Sequence, residues 1–333
     1  MRALILAPFA AAQLARLAAR GVAVVHESWL DTRRIWDPEE LGVRLHRDGF
    51  EVLVAEADFL FKEVFAQAPA LRLAALCRNA LNQVDLEAAT SHGVAVIHTP
   101  ARNSTAVAEL TVGLMLALAR HVTQAHHLVV GGGWRDPALG YRTLRGREVA
   151  GSTVGIVGFG QIGREVGRRC LALGARVVVS DPYVHTDAIR DLGAEPRDLA
   201  PLAAESDFVT VHVPEQGQTR RLIDRMFMRS MRPSSYLINT SGGSVIDTEA
   251  LVDALESRTI AGAALDVFEG HPLPQSSRLL TAPNVILTPH IGGATEETVE
   301  RYSRMIADDI ERLLDGAPLQ HVVNPDYAMA RAG

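Results

Sequence analysis

Three glycines with the spacing G-x-G-x-x-G, at Gly158, Gly160 and Gly163, are the first residues whose arrangement indicates chemistry. They lie between a short apolar run and an amphipathic stretch typical of a helix. In such a strand–turn–helix, the first glycine permits a tight turn, the second lets the backbone approach a pyrophosphate, and the third allows close packing. The N–H groups of Gln161 and Ile162, at the predicted helix start, can bind phosphate. The segment therefore predicts a dinucleotide-binding turn.

A carboxylate follows these glycines at the distance expected for ribose recognition. Asp181 comes directly after the apolar run RVVVS at residues 176–180 and lies 18 residues after Gly163. A carboxylate there can accept hydrogen bonds from both hydroxyl groups of the adenosine ribose, and it repels a 2′-phosphate. We therefore expect the cofactor to be NAD rather than NADP.

The elements that must position these residues alternate along the chain. Short apolar runs rich in Val, Ile and Leu alternate with stretches of helical period, which is typical of parallel sheets covered on both faces. The predicted fold class is α/β, with two doubly wound parallel-sheet domains. The first set of predicted strands is residues 3–7, 23–25, 52–54, 71–76 and 95–98, and the second set is residues 153–157, 176–180, 208–213, 236–239, 261–266 and 285–287.

One long helix is predicted between the two sets of strands, over residues 104–129, followed by a glycine-rich break and a loop. Its strongly apolar part, residues 110–119, is much shorter than the roughly 20 residues that cross a bilayer. We therefore expect a buried helix and no membrane partner. A final helix is predicted over residues 295–314.

Composition narrows the classes of partner and compartment. The 333 residues include 33 basic and 39 acidic side chains, a net charge of -6, so the basic surface of a nucleic-acid-binding protein is not expected. Two cysteines, Cys77 and Cys170, are too few for a disulfide framework and lack metal-binding spacing. These features predict a reducing, cytoplasmic compartment, no nucleic-acid partner and no metal site.

Several spaced motifs make the chain similar to the D-2-hydroxyacid dehydrogenase family, which includes phosphoglycerate dehydrogenases and glyoxylate reductases. The motifs include AVAELTVGLMLALAR at residues 106–120, VGIVGFGQIG at 154–163, MRPSSYLINTSGGSVIDTEAL at 231–251, AGAALDVFEGHPLP at 261–274 and NVILTPHIGGAT at 284–295. The resemblance implies a flavodoxin-like substrate-side domain, residues 1–102 and 291–333, and a Rossmann NAD-binding domain, residues 103–290. It also implies a homodimer formed largely through the long helix and the following loop.

The resemblance implies catalytic roles for two histidines. His290, in the TPHIGG motif, matches the family's proton donor and acceptor, a role suited to a group that titrates near neutrality. His271 stands where the family has a glutamate, and a neutral imidazole can orient His290 but cannot hold it protonated as a carboxylate would. Gly242 stands where the family has the arginine that binds the substrate carboxylate. The two departures indicate a substrate unlike plain lactate, glyoxylate or phosphoglycerate.

The same motifs imply further contacts with substrate and cofactor. Arg78, Asn79 and Ala80 lie in a loop that resembles the short form of the family's carboxylate-binding loop. Arg102, Arg135, Arg142 or Arg145 could supply the anion contact instead. The predicted cofactor contacts are Gly158, Gly160, Gln161, Ile162, Gly163, Asp181, His212, Val213, Pro214, Thr219, Thr240, Ser241, Gly242, Asp266, His290, Gly292 and Gly293.

The sequence thus predicts an NAD-dependent oxidoreductase. We expect hydride transfer between NAD(H) and the hydroxyl or carbonyl carbon of a small, acidic and atypical substrate. Two alternatives stay open. One is a sensor or scaffold that binds NAD(H) but has lost catalysis, and the other is NAD-assisted chemistry without net oxidation.

Overall fold

The computed structural model describes residues 1–330 and divides the chain into two compact units. The first unit combines Met1–Arg102 with the C-terminal part that begins at Thr295, and the second is Asn103–Ala294. Each unit is built on one parallel sheet, with five strands in the first and seven in the second. The predicted α/β class with two doubly wound parallel sheets is confirmed.

Strands and helices alternate through most of the chain. The strands are β1 (Arg2–Ile5), β2 (Ala23–His26), β3 (Val52–Ala55), β4 (Leu73–Leu76), β5 (Ala95–Ile97), β6 (Thr153–Val157), β7 (Arg176–Ser180), β8 (Glu195–Pro196), β9 (Phe208–Val211), β10 (Tyr236–Asn239), β11 (Gly262–Leu265) and β12 (Val285–Leu287). The helices are α1 (Ala11–Ala19), α2 (Trp29–Thr32), α3 (Pro38–Asp48), α4 (Lys62–Gln67), α5 (Leu86–Ser91), α6 (Ser104–Ala119), α7 (Val122–Val130), α8 (Leu139–Thr143), α9 (Gln161–Ala172), α10 (Thr186–Arg190), α11 (Leu199–Glu205), α12 (Arg225–Ser230), α13 (Thr248–Glu256), α14 (Glu296–Leu314) and α15 (Tyr327–Ala330).

The sheet of the first unit has the strand order β2-β1-β3-β4-β5, the doubly wound order of flavodoxin-like folds. Both faces of its central strands are buried, which explains why these strands are continuous apolar runs. Along β1, Leu4 packs with Leu41 of α3 on one face. Ile5 packs with Tyr302 and Ile306 of α14 on the other. Helix α14 thus contributes to the core on one face of the N-terminal strands.

The chain after α14 also returns to this sheet. Ile97 and Val322 form an antiparallel bridge. The Asn324 side chain accepts a hydrogen bond from the Val96 N–H group at 2.7 Å and donates one to the Val94 carbonyl at 2.9 Å. Both ends of the chain are therefore built into one unit.

The sheet of the second unit has the order β12-β11-β10-β9-β6-β7-β8. This is a Rossmann order, in which the topology reverses between β6 and β9 and ligands bind beyond the carboxyl ends of the strands. The sequence predicts six strands here, and the structure adds β8, which pairs with the far edge of β7. The prediction missed β8 because a strand of two residues has no readable period.

The prediction of one continuous helix over residues 104–129 is wrong. Helix α6 ends at Ala119, and α7 begins at Val122 after a bend of 64°. The Ala119 carbonyl accepts a hydrogen bond from the Arg147 N–H group at 2.9 Å, and His121 has a φ of 53°. This hydrogen bond from outside the helix replaces the one that the Ala119 carbonyl would accept if the helix continued. Helix α8 forms within the segment predicted to be loop.

No single helix within residues 1–330 is both long and apolar enough to cross a membrane. Taken together, α6 and α7 reach that length and composition, but only as a strongly bent pair. Leu114, Met115 and Leu118 of α6 are buried against the second sheet, as in a core helix.

Candidate active site

The glycine-rich turn joins β6 to α9 in the second unit, and packing explains two of its glycines. Gly158 has a φ of 91°, and a Cβ atom there would lie 2.6 Å from the His212 carbonyl oxygen. A Cβ atom on Gly163 would overlap the Gly158 carbonyl oxygen. At Gly160, a Cβ atom would meet no other atom within 4 Å. The second glycine therefore leaves an open face of backbone at the start of α9.

Asp181 lies at the end of β7, beside this turn. Its carboxylate accepts hydrogen bonds from the Phe159 N–H group at 2.7 Å and the Tyr183 N–H group at 2.9 Å. A cavity of about 630 Å³ opens here. Seven predicted cofactor residues line this cavity: Gly158, Gly160, Asp181, His212, Val213, Pro214 and Thr219.

His212 is a buried, neutral histidine on the wall of this cavity. Burial lowers its pKa from the ordinary value of 6.5 to about 3, because a charged imidazole would lose its hydration. Its Nε2 atom lies 2.9 Å from the Thr210 hydroxyl oxygen. Its Nδ1 atom is buried and has no hydrogen-bond partner among residues 1–330, so a ligand in the cavity can supply one.

Tyr183, Arg197 and Gln218 are among the cavity residues that the sequence analysis missed. The Tyr183 hydroxyl donates to Gln218 Oε1 at 3.1 Å. The Arg197 guanidinium donates to Glu195 at 2.5 Å and to Glu205 at 2.8 Å, so its charge is already paired. Arg197 follows the short strand β8, and that strand gives no sequence signal. Tyr183, two residues after Asp181, could have been found from its position beyond a strand end.

A second group of predicted residues surrounds the turn that carries His290. The buried Asp266 carboxylate, just beyond β11, accepts hydrogen bonds from the Thr288 hydroxyl at 2.6 Å, the Ile291 N–H group at 2.9 Å and the Gly292 N–H group at 2.8 Å. His290 itself has a φ of 55°, in the left-handed region that side chains rarely adopt. Three bonds to one carboxylate therefore hold the turn in a strained backbone conformation. The predicted contact of Asp266 with the cofactor stays a prediction.

The two predicted catalytic histidines lie side by side. The ring centroids of His271 and His290 are 5.1 Å apart, with the rings tilted by 45°. The Phe268 ring lies 6.0 Å from the His271 ring on its other side. Both histidines are exposed at the surface of the second unit. The structure therefore brings the two predicted imidazole rings together.

The loop after β10 carries Thr240, Ser241 and Gly242. The Asn239 side chain holds it, because its Oδ1 atom accepts from the Ser241 N–H group at 3.0 Å and its Nδ2 atom donates to the Gly242 carbonyl at 2.9 Å. The Thr240 hydroxyl oxygen lies 2.9 Å from the Thr111 hydroxyl oxygen of α6. The loop therefore has a fixed path, with Gly242 in extended conformation at its centre.

In the first unit, Arg78 lies in a cluster of charged residues. Its Nη1 atom donates to Gln83 Oε1 at 2.9 Å, and burial together with the positive charge of Arg102 lowers the pKa of Arg78. Arg102 is paired with Glu56 at 3.2 Å. Two guanidinium groups thus stand against one carboxylate. Asn79 and Ala80 are exposed beside them.

Comparison with known proteins identifies the family. The sequence model described as "D-isomer specific 2-hydroxyacid dehydrogenase, NAD binding domain" matches residues 112–292. A glyoxylate reductase of Thermofilum pendens is 38% identical over 311 residues, which cover 92% of this chain and 90% of that one. The chain belongs to the D-isomer-specific 2-hydroxyacid dehydrogenase family.

Two further relatives of this dehydrogenase support the assignment. A D-3-phosphoglycerate dehydrogenase of Methanocaldococcus jannaschii is 36% identical over 86% of this chain and 54% of its own length. The crystal structure of the TT0316 protein from Thermus thermophilus is 34% identical, with a TM-score of 0.85 over 97% of this chain and 100% of that one. The resemblance seen in the sequence is thereby confirmed, and the protein is an NAD-dependent dehydrogenase.

The residues of this dehydrogenase fit the cofactor. The open backbone at Gly160 suits a pyrophosphate, and the cavity beside Asp181 suits an adenosine. The charge of Arg197, which is already paired with Glu195 and Glu205, suits a ligand without a 2′-phosphate. Within the described part of the chain, no group of three or more His, Cys, Asp or Glu side chains is arranged to hold a metal ion.

Proposed function

We propose that this dehydrogenase interconverts a 2-hydroxy acid and the corresponding 2-keto acid, with His290 as the catalytic acid and base. The observation that carries the proposal is the His290 turn, which the Asp266 carboxylate fixes beside His271. Bound NADH supplies the hydride for carbonyl reduction, and NAD⁺ accepts it in the reverse direction. In reduction, His290 gives a proton to the carbonyl oxygen as the hydroxyl forms, and in oxidation it takes that proton back.

His271 acts on His290 as a positioning residue in this proposal. Two imidazole rings at 5.1 Å can exchange a proton through a hydrogen bond or a water molecule, but they oppose double protonation. The neighbour of His290 therefore orients it without fixing a charge on it. This property distinguishes the pair from a histidine beside a carboxylate.

The proposed cofactor contacts divide between two groups of residues. Gly158, Gly160, Gln161, Ile162 and Gly163 would receive the pyrophosphate at the start of α9, and Asp181 the adenosine ribose. His212, Val213, Pro214 and Thr219 would line the adenosine side. Around the nicotinamide, we place Thr240, Ser241, Gly242, Asp266, His290, Gly292 and Gly293.

We infer that Arg78, with Asn79 and Ala80, binds the acidic group of the substrate. Two arginines against one glutamate leave the Arg78 cluster with a positive charge, and a half-buried cation gains most from an added anion. Residues 1–102 and 291–333 would then be the substrate-side domain, and residues 103–290 the NAD-binding domain.

The function is tested by following NADH absorbance at 340 nm with a panel of 2-keto acids. We expect turnover by the natural sequence and a loss of about 10²–10⁴ in kcat for His290→Asn. His185→Asn, at an exposed histidine of the same unit, is the control and should retain full activity. Tight NADH binding without turnover of any 2-keto acid or 2-hydroxy acid would contradict the proposal and favour a cofactor-binding protein without catalysis.

We further propose a homodimer in a reducing, cytoplasmic compartment, with no nucleic-acid or membrane partner. Apolar side chains are exposed on α7, on the loop after it and on α8, notably Val122, Val129, Val130, Trp134 and Tyr141. A patch of this kind is typical of a surface that a second copy covers. Cys77 and Cys170 are both free and buried, which accords with a reducing compartment.

A further inference from the structure

Gly242 is a glycine for a reason that lies outside its own backbone. Its φ of -152° and ψ of 142° are extended values that any residue adopts. A Cβ atom at this position, however, would lie 2.9 Å from Glu215 Cβ and 3.2 Å from Glu215 Oε2. The Glu215 side chain thus fills the space that a side chain at residue 242 would need. Because glycine has no side chain, residue 242 leaves room for the Glu215 side chain.

The loop of Glu215 is held in place by specific bonds. Glu215 Oε1 accepts a hydrogen bond from the Ser244 N–H group at 3.0 Å. The Thr219 hydroxyl donates to the Pro214 carbonyl at 2.6 Å and accepts from the Gln216 N–H group at 3.0 Å. Glu215 Oε2 makes no hydrogen bond to any of the residues described, and the side chain is exposed. One carboxylate oxygen is therefore fixed, and the other is available to a ligand.

Continuous packing joins this loop to the imidazole pair. A Cβ atom on Gly243 would overlap the backbone of Phe268 and Glu269, so the two loops touch. Phe268 in turn lies against His271, which neighbours His290. Arg220 is paired with Glu269 at 3.3 Å, and the Arg221 N–H group donates to the Ser244 carbonyl at 2.7 Å. The side chain that lies directly against Gly242 is the Glu215 carboxylate.

We propose that Glu215 is a specificity-determining residue that selects substrates presenting a hydrogen-bond donor, above all a cation, toward the Gly242 loop. A carboxylate cannot be accommodated beside another carboxylate without strong repulsion, whereas an ammonium group forms a charge-assisted hydrogen bond. The inference rests on the proposed 2-hydroxy-acid chemistry, and it names the substrate class of that site. It explains the glycine at residue 242 as part of a rebuilt site rather than as a loss.

A purely structural role is the competing explanation, because Glu215 also bonds the Ser244 N–H group. Glu215→Gln separates the two, since the glutamine oxygen can keep that bond while the negative charge is lost. Glu256→Gln removes the same charge from an exposed position on α13 and serves as the matched control.

The experiment compares NAD⁺-dependent oxidation of three racemic 2-hydroxy acids of similar size: 4-amino-2-hydroxybutanoate, its methyl isostere 2-hydroxypentanoate, and 2-hydroxypentanedioate. A second set contains the same three types of compound, each with two more methylene groups, in case Glu215 lies farther from the reacting carbon. In the natural sequence and in Glu256→Gln, we expect kcat/KM for the ammonium compound to exceed that of the isostere by at least about tenfold, with the dicarboxylate lowest. In Glu215→Gln, the ammonium-to-methyl ratio should fall to near one, and the dicarboxylate should gain relative to the isostere.

An unchanged ranking in Glu215→Gln, or a preference of the natural sequence for the dicarboxylate, would overturn the inference while leaving the dehydrogenase function intact. If none of the compounds is oxidised, the proposed 2-hydroxy-acid chemistry fails instead. Calorimetric binding of the same compounds to the complex of protein and NADH then decides the role of Glu215. Tighter binding of the ammonium compound, lost in Glu215→Gln, supports it, and equal or undetectable binding refutes it.

Discussion

At the scale of single residues, the strained backbone of His290 is the feature from which catalysis is best argued. A left-handed φ at a histidine costs about 1–2 kcal/mol, and it persists here because three donors converge on Asp266. The strain fixes where the imidazole lies. The ring that neighbours the imidazole is that of His271.

Replacing His271 by glutamate tests this dependence. In His271→Glu, a carboxylate beside His290 favours the protonated imidazole, so carbonyl reduction should persist to higher pH. We expect the alkaline limb of the pH–rate profile to move upward by about one unit or more. His185→Glu adds the same charge at a distant exposed site and should leave the limb in place. A profile of His271→Glu that matches the natural one would show that His271 does not act on His290.

The burial of His212 predicts how the free energy of unfolding depends on pH in the acid range. Its pKa falls from 6.5 in the unfolded chain to about 3 in the folded protein, because burial disfavours the charged ring. Above pH 6.5, His212 is neutral in both the folded and the unfolded protein, so its titration does not reduce the free energy of unfolding. As pH falls from about 6.5 toward 3, the free energy of unfolding decreases, because the unfolded chain binds a proton that the folded protein does not.

His212→Gln should therefore lessen the acid dependence of unfolding. A single buried histidine contributes about 1.4 kcal/mol per pH unit across that window, measured as the unfolding free energy in urea at several pH values. His185→Gln, at an exposed histidine, should keep the natural slope. Equal slopes in the two variants would mean that His212 is solvated in the folded state.

We expect Asp181 to control the choice between NAD⁺ and NADP⁺. Asp181→Ser removes the charge that repels a 2′-phosphate, and we expect the NAD⁺-to-NADP⁺ ratio of kcat/KM to fall by at least about tenfold. The double variant Asp181→Ser/Glu195→Gln should lower this ratio further, because the loss of the Glu195 charge removes one of the carboxylates that pair with Arg197. Glu195→Gln alone is the control. An unaltered ratio in the single variant would place the ribose elsewhere.

At the scale of elements, the bend between α6 and α7 depends on one close approach. A Cβ atom on Gly146 would overlap the Ala119 carbonyl oxygen, at the end of α6. Gly146→Ala should therefore push residue 146 and the end of α6 apart, and lower the free energy of unfolding by about 2 kcal/mol or more. Gly140→Ala is the matched control, because its Cβ meets nothing within 4 Å and alanine favours helix α8. We expect it to be neutral or stabilising by up to about 1 kcal/mol.

The same scale shows how far sequence reasoning extends. The strands β6 and β7, the turn at Gly158 and the position of Asp181 could be predicted, because each signal lies within a few neighbouring residues. The break at His121 could not, since it depends on a bond from Arg147. Glu215 was missed for a related reason: its contact with Gly242 joins two loops 27 residues apart in sequence. The sequence analysis singled out Gly242 without revealing that Glu215 fills the space beside it.

At the scale of the whole molecule, the exposed apolar surface of α7 predicts the oligomeric state. Val130 is 71% exposed, and a charge there should be disfavoured inside an interface. We expect Val130→Glu to convert a dimer to a monomer in light scattering after size-exclusion chromatography. Val43→Glu, at an exposed valine of α3, should leave the dimer intact. A natural protein that is monomeric at micromolar concentration would refute the proposed homodimer.

The two chain ends meet in one unit, and this order has a consequence for biosynthesis. A ribosome releases β1–β5 before the central unit, but Tyr302, Ile306 and Ile310 of α14, which pack on one face of their sheet, emerge only after it. Residues 103–294 form a contiguous unit and can fold while that face is still uncovered. The sheet of β1–β5 is therefore completed only after the central unit has been made, and the nascent chain presents an apolar sheet face to chaperones throughout the synthesis of that unit.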